Sequence, residues 1–329
     1  MKITVYGAGA VGLVVGARLA RAGDDVVFLV RNPGVAERIE TCGVHFEDPA
    51  SGVAWSARAR AVASVAELSE EFRAGPILFC MRASETASAA RALAPHAPRA
   101  CVASFQNDLD NESVLGEHFP VVIGAPLRQT CTRSASNEAR AIGGGRVVLG
   151  RHPSGGGPEL LALRSRLRAA GYEVGISARI AEDRWLKLCV NLMSAPNALI
   201  RRPDHVTLAF VEIKARLLEE ARAVLAAAGI AARSCDARDR SLDDEIEWQR
   251  ASLARGESAR PFPIYNQVWA ALRHGGPLEA DAYHRRILEL AERAGLPAPM
   301  NARVLAVLLR QAERGAGPES VAASEILEI

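Results

Sequence analysis

The sequence predicts an α/β protein in which a doubly wound parallel sheet comes first and an all-helical domain follows. Short apolar runs alternate with helical patterns up to about residue 125, as they do when helices join parallel strands. A glycine-rich turn links the first strand to the first helix, and beyond residue 181 strand patterns give way to long helical ones. We therefore expect two domains, 1–178 and 179–329.

The glycine-rich turn comprises Gly7, Ala8, Gly9, Ala10, Val11 and Gly12, directly after an apolar strand. In this spacing the first glycine permits a tight turn, the second lets the backbone approach a pyrophosphate, and the third lets the helix pack on the sheet. Free N–H groups at the helix N-terminus attract the anion. The turn predicts a dinucleotide-binding domain of the Rossmann type, although a glycine turn that binds nothing has the same spacing.

The end of the second strand, residues 26–30, indicates which dinucleotide binds. An NAD enzyme normally carries Asp or Glu about 20 residues beyond the glycines, to hold the ribose hydroxyls. Residues 30–32 are Val, Arg and Asn. A guanidinium pairs with a 2′-phosphate that a carboxylate would repel. Arg31 therefore favours NADP over NAD, the alternative being a solvated loop arginine.

Further α/β elements complete the predicted sheet. Two weaker strands joined by a hairpin turn are expected within residues 43–63, and the remaining strands over 76–81, 101–105, 121–124, 146–150 and 172–176, with a helix over 159–170. Ligands of open α/β sheets bind outside the carboxyl ends of the strands. Arg82 follows such an end, so we expect it to face the same crevice as the glycine turn and Arg31.

The second domain is predicted to contain helices over 181–200, 207–228, 239–255, 264–273, 279–294 and 299–314. Within the first, Lys187, Asn191 and Ser194 have spacings that put them on one helix face. A lysine in apolar surroundings loses its proton more readily and can act as an acid near neutral pH. A lysine whose amine reaches solvent, beside an asparagine near a kink at Pro196, fits the same pattern.

Acidic residues open the helix predicted over 279–294, with Glu279 first and Asp281 two residues later. Acids stabilise a helix N-terminus without any functional role, so residue type alone favours capping.

Composition argues against several classes of protein. The 40 basic and 38 acidic residues are interspersed and leave a net charge of +2, which argues against a nucleic-acid partner. No apolar run approaches the roughly 20 residues that a membrane helix needs. With a first strand at the start, we expect no signal peptide and a cytoplasmic location. The scattered cysteines include no C-x-x-C, so neither zinc nor disulfides are expected.

Several motifs, in order, resemble the ketopantoate reductase (2-dehydropantoate 2-reductase) family over nearly the whole chain. They are GAGAVG at 7–12 with Arg31, FCMRASET at 79–86, SFQNDLDNE at 104–112, RWLKLCVN at 184–191 and PLEADAYHRRILELAERAGLPAPMNARV at 277–304. The resemblance implies NADPH-dependent reduction of a 2-oxo acid. It implies that Lys187 is catalytic, that Asn191 binds substrate, and that Glu279 acts in the active site and reaches the cofactor. It also implies cofactor contacts from the glycine turn, Arg82 and Asn107, with Asn107 adjoining the substrate.

Departures from the family pattern concentrate on the substrate side. Asp108 stands where the family has a glycine, and Ala195 where it has a second asparagine, so we expect Ser194 and Asn197 to bind substrate instead. The family's serine aligns near Gln267, which is a further substrate-binding candidate. Because polar groups in a pocket discriminate between substrates, we expect a substrate other than ketopantoate.

The leading hypothesis is an NADPH-dependent reductase of a 2-oxo acid or related carbonyl compound, with Lys187 as proton donor. One alternative is an imine or amino-acid-linked reductase on the same fold, and another is a catalytically silent NADP-binding regulator. The apolar surface of the predicted helices suggests a homodimer, and we expect neither a nucleic-acid nor a membrane partner.

Overall fold

The computed structural model describes residues 1–255 and 266–327. The chain divides into two compact units, Met1–Asp183 and Arg184–Ile329. The first is α/β and the second is helical in its described part, so the predicted fold class is confirmed. The described residues include no helix long and apolar enough to cross a membrane.

The strands of the first unit follow one another along the whole of its length. They are β1 Lys2–Tyr6, β2 Asp25–Leu29, β3 Val44–Asp48, β4 Val53–Ala57, β5 Arg60–Val62, β6 Ile77–Phe79, β7 Cys101–Ser104, β8 Val121–Gly124, β9 Leu127–Arg128, β10 Cys131–Ala135, β11 Glu138–Ala141, β12 Arg146–Arg151 and β13 Glu173–Ile176. The α-helices are α1 Ala10–Arg21, α2 Pro33–Cys42, α3 Glu70–Ala74, α4 Thr86–Leu93, α5 Asn111–Gly116 and α6 Pro158–Ala169.

The main sheet is doubly wound around β1. Its order is β13-β12-β8-β7-β6-β1-β2-β5, with β9 beside β12. Every neighbouring pair from β5 to β8 is parallel, and β12 then runs antiparallel to β8. The chain leaves β1 towards β2 on one side and later returns to β6 on the other. At such a switch point the loops diverge and open a ligand crevice outside the carboxyl ends of the strands.

The core of this unit lies between the sheet and α1. Ile3, Leu13 and Phe28 are completely buried, which stabilises the fold by roughly 1.5–3 kcal/mol for each side chain. A Cβ on Gly16 of α1 would lie 2.3 Å from the Phe28 ring, so glycine lets this helix approach the sheet. The close packing fixes where α1 begins.

A second sheet has the order β10-β11-β3-β4. Its β3–β4 hairpin confirms the prediction for residues 43–63, and the stacked rings of Phe46 and Trp55 join the two strands with centroids 4.6 Å apart. The strands β9, β10 and β11 were not predicted from the sequence. These strands are short and carry few apolar residues, which leaves little period-two pattern to detect.

The described part of the second unit is built from helices. They are α7 Ile180–Asn191, in which the division between the units falls, α8 Ser194–Leu199, α9 Leu208–Ala227, α10 Leu242–Arg250, α11 Gln267–His274, α12 Glu279–Ala294, α13 Pro299–Glu313 and α14 Ala323–Leu327. Residues 264 and 265 of the helix predicted over 264–273 lie outside the described residues.

The helix predicted over 181–200 is wrong in one respect, because it is two helices. The α-helix α7 ends at Asn191, and α8 begins at Ser194 with Pro196 in its first turn. Proline has no N–H to donate, and its ring would clash with the carbonyl of residue 192 in a continuous helix. The break lies where the candidate substrate residues cluster.

Candidate functional site

The glycine turn lies at the switch point of the sheet, between β1 and α1. Gly7 has a φ of +107°, and a Cβ there would lie 2.8 Å from the Met81 nitrogen. A Cβ on Gly12 would lie 2.0 Å from the Gly7 oxygen. Both glycines are therefore required by the fold itself.

Gly9 differs from its two neighbours in the turn. A Cβ there would meet only the Cys80 oxygen among the described residues, at an ordinary 3.6 Å, and its φ is −77°. The fold leaves room at this position, as close approach of a ligand requires. No side chain caps the N-terminus of α1, and its first turn carries no acid. The turn fits an anionic pyrophosphate.

An arginine from outside the predicted strands also meets this turn. Arg133 of β10 donates to the Ala8 carbonyl at 3.2 Å. Arg133 is not among the residues predicted from the sequence, because β10 itself has no pattern that predicts a strand. Its guanidinium adds positive charge beside the turn.

Arg31 and Arg82 come together at the carboxyl ends of β2 and β6 through a shared carboxylate. Glu85 Oε1 lies 2.8 Å from Arg31 Nη2 and 2.7 Å from Arg82 Nη2. Arg82 Nε donates to the same oxygen at 3.1 Å. The arginine side chains are 73% and 50% exposed, whereas Glu85 is 18% exposed. The carboxylate thus lies beneath two guanidinium groups that face solvent.

Tyr6, the last residue of β1, lies near this cluster. Burial raises the pKa of the Tyr6 hydroxyl, with a smaller increase from the Glu85 charge and a decrease from Arg31. The hydroxyl is therefore protonated at neutral pH.

A buried hydrogen-bond network joins the loops that follow β6 and β7. Gln106 Nε2 donates to the Met81 oxygen at 3.0 Å and to Thr86 Oγ1 at 2.7 Å. The Thr86 hydroxyl donates to Asn111 Oδ1, also at 2.7 Å. Because buried polar groups hydrogen-bonded in this way order their loops, the network fixes one crevice loop against the other.

Asn107 and Asp108 lie in the loop that this network holds, directly after Gln106. Asn111 Nδ2 donates to the Asp108 oxygen at 3.1 Å, and the Asp108 carboxylate accepts the Asp110 N–H at 3.1 Å. Asp108 is not among the residues with positive φ, so its backbone does not require the glycine of the family pattern. The substitution is accommodated by an Asx turn.

Lys187 and Asn191 lie one turn apart on α7. Lys187 is 7% exposed, so most of its side chain is buried, and Asn191 is half-buried at the end of the helix. Ser194 begins the next helix and donates from Oγ to the Asn191 oxygen at 2.5 Å. The expectation of one continuous face for all three is therefore wrong, because the turn at residues 192–193 separates Ser194 from the other two.

Asn197 and Ala195 lie on α8. Ala195 is completely buried. Asn197 Oδ1 is buried and meets no hydrogen-bond donor in the part of the chain that the structure describes. Since buried carbonyl oxygens are normally paired, this one has the properties expected of a group that binds a ligand.

Asn266, which the sequence analysis did not select, meets the turn between α7 and α8. Its Nδ2 donates to the Ser194 oxygen at 2.8 Å, and its Oδ1 caps α11 by accepting the Trp269 N–H at 2.9 Å. Gln267, the adjacent candidate, is exposed as the first residue of α11. A one-residue difference in alignment separates these two amides.

Glu279 is the first residue of α12 and is half-buried. The helix packs against α9, α11 and α13, and α11 packs in turn against α8. Glu279 thus begins a helix adjoining the one that Asn266 caps. Its roles in catalysis and cofactor binding stay predictions.

No group of three or more metal-ligating side chains occurs within residues 1–255 and 266–327. The described cysteines are all free thiols, and burial raises the pKa of Cys101 and of Cys189 to about 12.

A parallel sheet with a glycine turn at its switch point defines a dinucleotide-binding class of α/β protein. Sequence comparison places the chain more narrowly. The chain belongs to the ketopantoate reductase PanE/ApbA family, whose model matches residues 3–154 and whose C-terminal model matches residues 179–312. The predicted resemblance is confirmed, and the family is one of oxidoreductases that use a nicotinamide cofactor.

Two proteins named as 2-dehydropantoate 2-reductases are similar to nearly the whole of this chain. A 2-dehydropantoate 2-reductase from Halobacterium salinarum is 26% identical over 316 residues, covering 95% of this chain and 99% of its own. Another from Pyrococcus abyssi is 24% identical over 309 residues, covering 92% and 94%.

Solved structures share the fold. A PanE/ApbA family ketopantoate reductase from Ralstonia eutropha has a TM-score of 0.75 at 22% identity and covers 96% of this chain and 100% of its own. A D-mandelate dehydrogenase, solved as a ternary structure with NADH and anilino(oxo)acetate, has a TM-score of 0.77 at 17% identity with the same coverage.

Proposed function

We propose that this protein is an NADPH-dependent reductase of a 2-oxo acid. The observation that carries the proposal is the largely buried side chain of Lys187 with Asn191 one helical turn away, in a chain of this family.

The cofactor end supports a phosphorylated dinucleotide. The amides at the start of α1 bind the pyrophosphate, with Arg133 adding positive charge nearby. Arg31 and Arg82 bind the 2′-phosphate through their exposed guanidinium groups. Asn107, in the loop held by Gln106, contacts the nicotinamide end. When bound, the dinucleotide supplies a hydride to the carbonyl carbon of the substrate.

The residues of the helical unit act on the carbonyl oxygen. Lys187 Nζ donates a hydrogen bond to that oxygen and then transfers a proton to it, as a general acid does. Asn191 anchors the substrate beside the lysine. Glu279 binds the substrate or orients Lys187, and it also contacts the cofactor.

The break between α7 and α8 supports a substrate with a hydrogen-bond donor of its own. Asn197 Oδ1, which no described residue pairs, can accept from a hydroxyl or an N–H group. Ser194, Asn266 and Gln267 supply further polar groups around this turn. Because Ala195 has no polar side chain, the donor pattern of the substrate differs from that of ketopantoate.

A second candidate function follows from the same oxygen. An amine or imine nitrogen that carries hydrogen satisfies Asn197 Oδ1 as well as a hydroxyl does. The protein is then an imine or amino-acid-linked reductase on the same scaffold.

The test is to follow NADPH oxidation with a panel of 2-oxo acids, with and without ammonium or small amines. Lys187→Ala should lower kcat at least about a hundredfold while the Kd of NADPH stays within about threefold, because only the proton donor is lost. Lys214→Ala is the matched control, since Lys214 lies on α9 over the Phe210 ring.

Unchanged turnover in Lys187→Ala would refute its role as proton donor. Turnover only in the presence of an amine would favour the second candidate. Tight NADPH binding with no oxidation by any compound in the panel would contradict both and indicate a catalytically silent regulator.

A further inference from the structure

We infer that Glu85 is a specificity-determining residue at the ribose end of the cofactor site. Its carboxylate weakens the preference for a 2′-phosphate over a 2′-hydroxyl, so that the site takes NADH as well as NADPH. The inference rests on the proposed function, which assigns a nicotinamide dinucleotide to the first unit.

The Glu85 carboxylate contacts both arginines at this end of the cofactor site. One oxygen, Glu85 Oε1, meets both Arg31 and Arg82 at 2.7–2.8 Å. Arg31 is the residue that the sequence predicts for the 2′-phosphate, and Arg82 is a predicted cofactor contact in the same crevice. The groups proposed to hold the phosphate therefore already share an anion supplied by the chain itself.

The Glu85 charge makes this cluster less favourable for a phosphate than two arginines alone would be. Two guanidinium groups and one carboxylate leave a net charge of +1 in the cluster. A phosphate hydrogen-bonded to Arg31 would come close to the Glu85 carboxylate and be repelled by it, because like charges at a few ångströms interact strongly where water is partly excluded. A neutral hydroxyl meets no such repulsion.

A ribose 2′-hydroxyl, in contrast to a phosphate, can donate a hydrogen bond to the Glu85 carboxylate. NAD-binding sites of this fold hold the 2′-hydroxyl with an acid at the end of the second strand. Residues 30–32 contain no acid, but Glu85 brings one to Arg31 from the loop after β6. A carboxylate accepts hydrogen bonds from a hydroxyl and cannot accept any from a phosphate oxygen. Glu85 therefore supplies beside Arg31 the acid that residues 30–32 lack.

The backbone keeps this carboxylate in place. Glu85 ends the single 3-10 turn Ala83–Glu85 and directly precedes α4. The adjacent Thr86 is 1% exposed and hydrogen-bonded to Gln106 and Asn111. The Ser88 hydroxyl donates to the Glu85 carbonyl at 2.9 Å. A phosphate that binds the exposed guanidinium groups therefore approaches a carboxylate whose main chain is firmly anchored.

The experiment uses the whole protein and two probes that differ only in the 2′-phosphate, adenosine 2′,5′-bisphosphate and AMP. Calorimetric titration gives their Kd values for the native chain and for Glu85→Gln. We expect the ratio Kd(AMP)/Kd(bisphosphate) to rise by about five- to tenfold in Glu85→Gln, because removing the carboxylate removes a screened like-charge repulsion. The ratio for NADH and NADPH should rise in the same direction.

Glu47→Gln is the matched control, since Glu47 pairs with Arg140 at 2.7 Å on the second sheet. It should leave the ratio unchanged. In an Arg31→Ala background the effect of Glu85→Gln should shrink to about twofold or less, since the phosphate no longer binds beside residue 85.

A ratio that stays constant or falls in Glu85→Gln would overturn the inference, because Glu85 would then only order the arginines. Glu85→Ala must change the ratio in the same direction as Glu85→Gln, which covers the case of a variant that folds poorly. If the native chain binds neither probe nor either dinucleotide, the proposed function itself fails, an outcome distinct from binding with an unchanged ratio.

Discussion

At position 197 a buried amide oxygen meets no donor among the described residues. An unpaired buried carbonyl costs roughly 1–3 kcal/mol, which selection for stability alone would remove. Asn301 provides the contrast within the same unit. Its Oδ1 lies 2.9 Å from His284 Nδ1, and its Nδ2 donates to Glu220 at 2.8 Å. We interpret Asn197 as kept for a ligand and Asn301 as kept for the fold.

This contrast predicts opposite effects for two similar substitutions. Asn197→Leu should leave the free energy of unfolding unchanged or raise it by about 1 kcal/mol, while KM for the substrate rises about tenfold or more. Asn301→Leu should destabilise the protein by about 2–4 kcal/mol, because partners remain buried and unpaired. Urea unfolding and steady-state kinetics measure both quantities. Destabilisation of Asn197→Leu by several kcal/mol would show that its oxygen is not an orphan in solution.

Single residues were predictable from the sequence where local chemistry defines them. Gly12 is required by a short contact with the Gly7 oxygen in the same turn, and Gly7 by its φ of +107°, so the spacing of the two glycines follows from the turn itself. Glu85 was not predictable, because its meeting with Arg31 joins positions 54 residues apart. From the sequence alone, Glu85 is one acidic residue within the motif at 79–86.

At the scale of elements, a polar network joins three helices of the second unit. His284 of α12, Asn301 of α13 and Glu220 of α9 are linked by hydrogen bonds. Glu220 also accepts the N–H groups of Met300 and Asn301, which cap the start of α13. Burial lowers the pKa of His284 to about 4, and its Nε2 meets no hydrogen-bond partner within the described residues.

The lowered pKa predicts a loss of stability in acid. The unfolded chain has a histidine pKa of about 6.5, so between that value and about 4 the unfolded state binds more protons than the folded one. The contribution of His284 to the free energy of unfolding is fully present above about pH 6.5 and decreases as the pH falls. The loss is about 2 kcal/mol between pH 7.5 and 5.

Urea unfolding of native protein and His284→Gln at these two pH values measures this contribution. The native chain should lose about 2 kcal/mol more than the variant does, because glutamine does not titrate. Equal losses in the two proteins would mean that His284 titrates normally in the folded state. The network would then be accessible to water.

Elements were predictable in proportion to their apolar patterning. The buried strands β1, β2 and β6 have continuous apolar runs, and their positions follow from the sequence. The strands β10 and β11 have no such runs. Because β11 pairs with β3, more than 90 residues away along the chain, its position does not follow from the local sequence. In the helical unit, Pro196 marked a kink, but only the structure shows two helices separated by a turn.

At the scale of the whole molecule, the parallel sheet and the helical second unit follow from the sequence because strand–helix alternation and its end are visible along the chain. The family membership, confirmed by comparison, extends over both units. The substrate is harder to predict, since the residues proposed to contact it, Ser194, Asn197 and Asn266, lie at or beside the break after α7. The cytoplasmic location and the homodimer stay predictions.

The central claim is that this chain transfers a hydride from a reduced nicotinamide to the carbonyl carbon of a 2-oxo acid. Incubation with NADPH deuterated at C4, in each stereochemical form, followed by mass spectrometry of the products, tests it directly. We predict one deuterium on carbon 2 of a 2-hydroxy acid, from one of the two forms only. Oxidation of NADPH without deuterium in the product, or no product from any 2-oxo acid, would contradict the account.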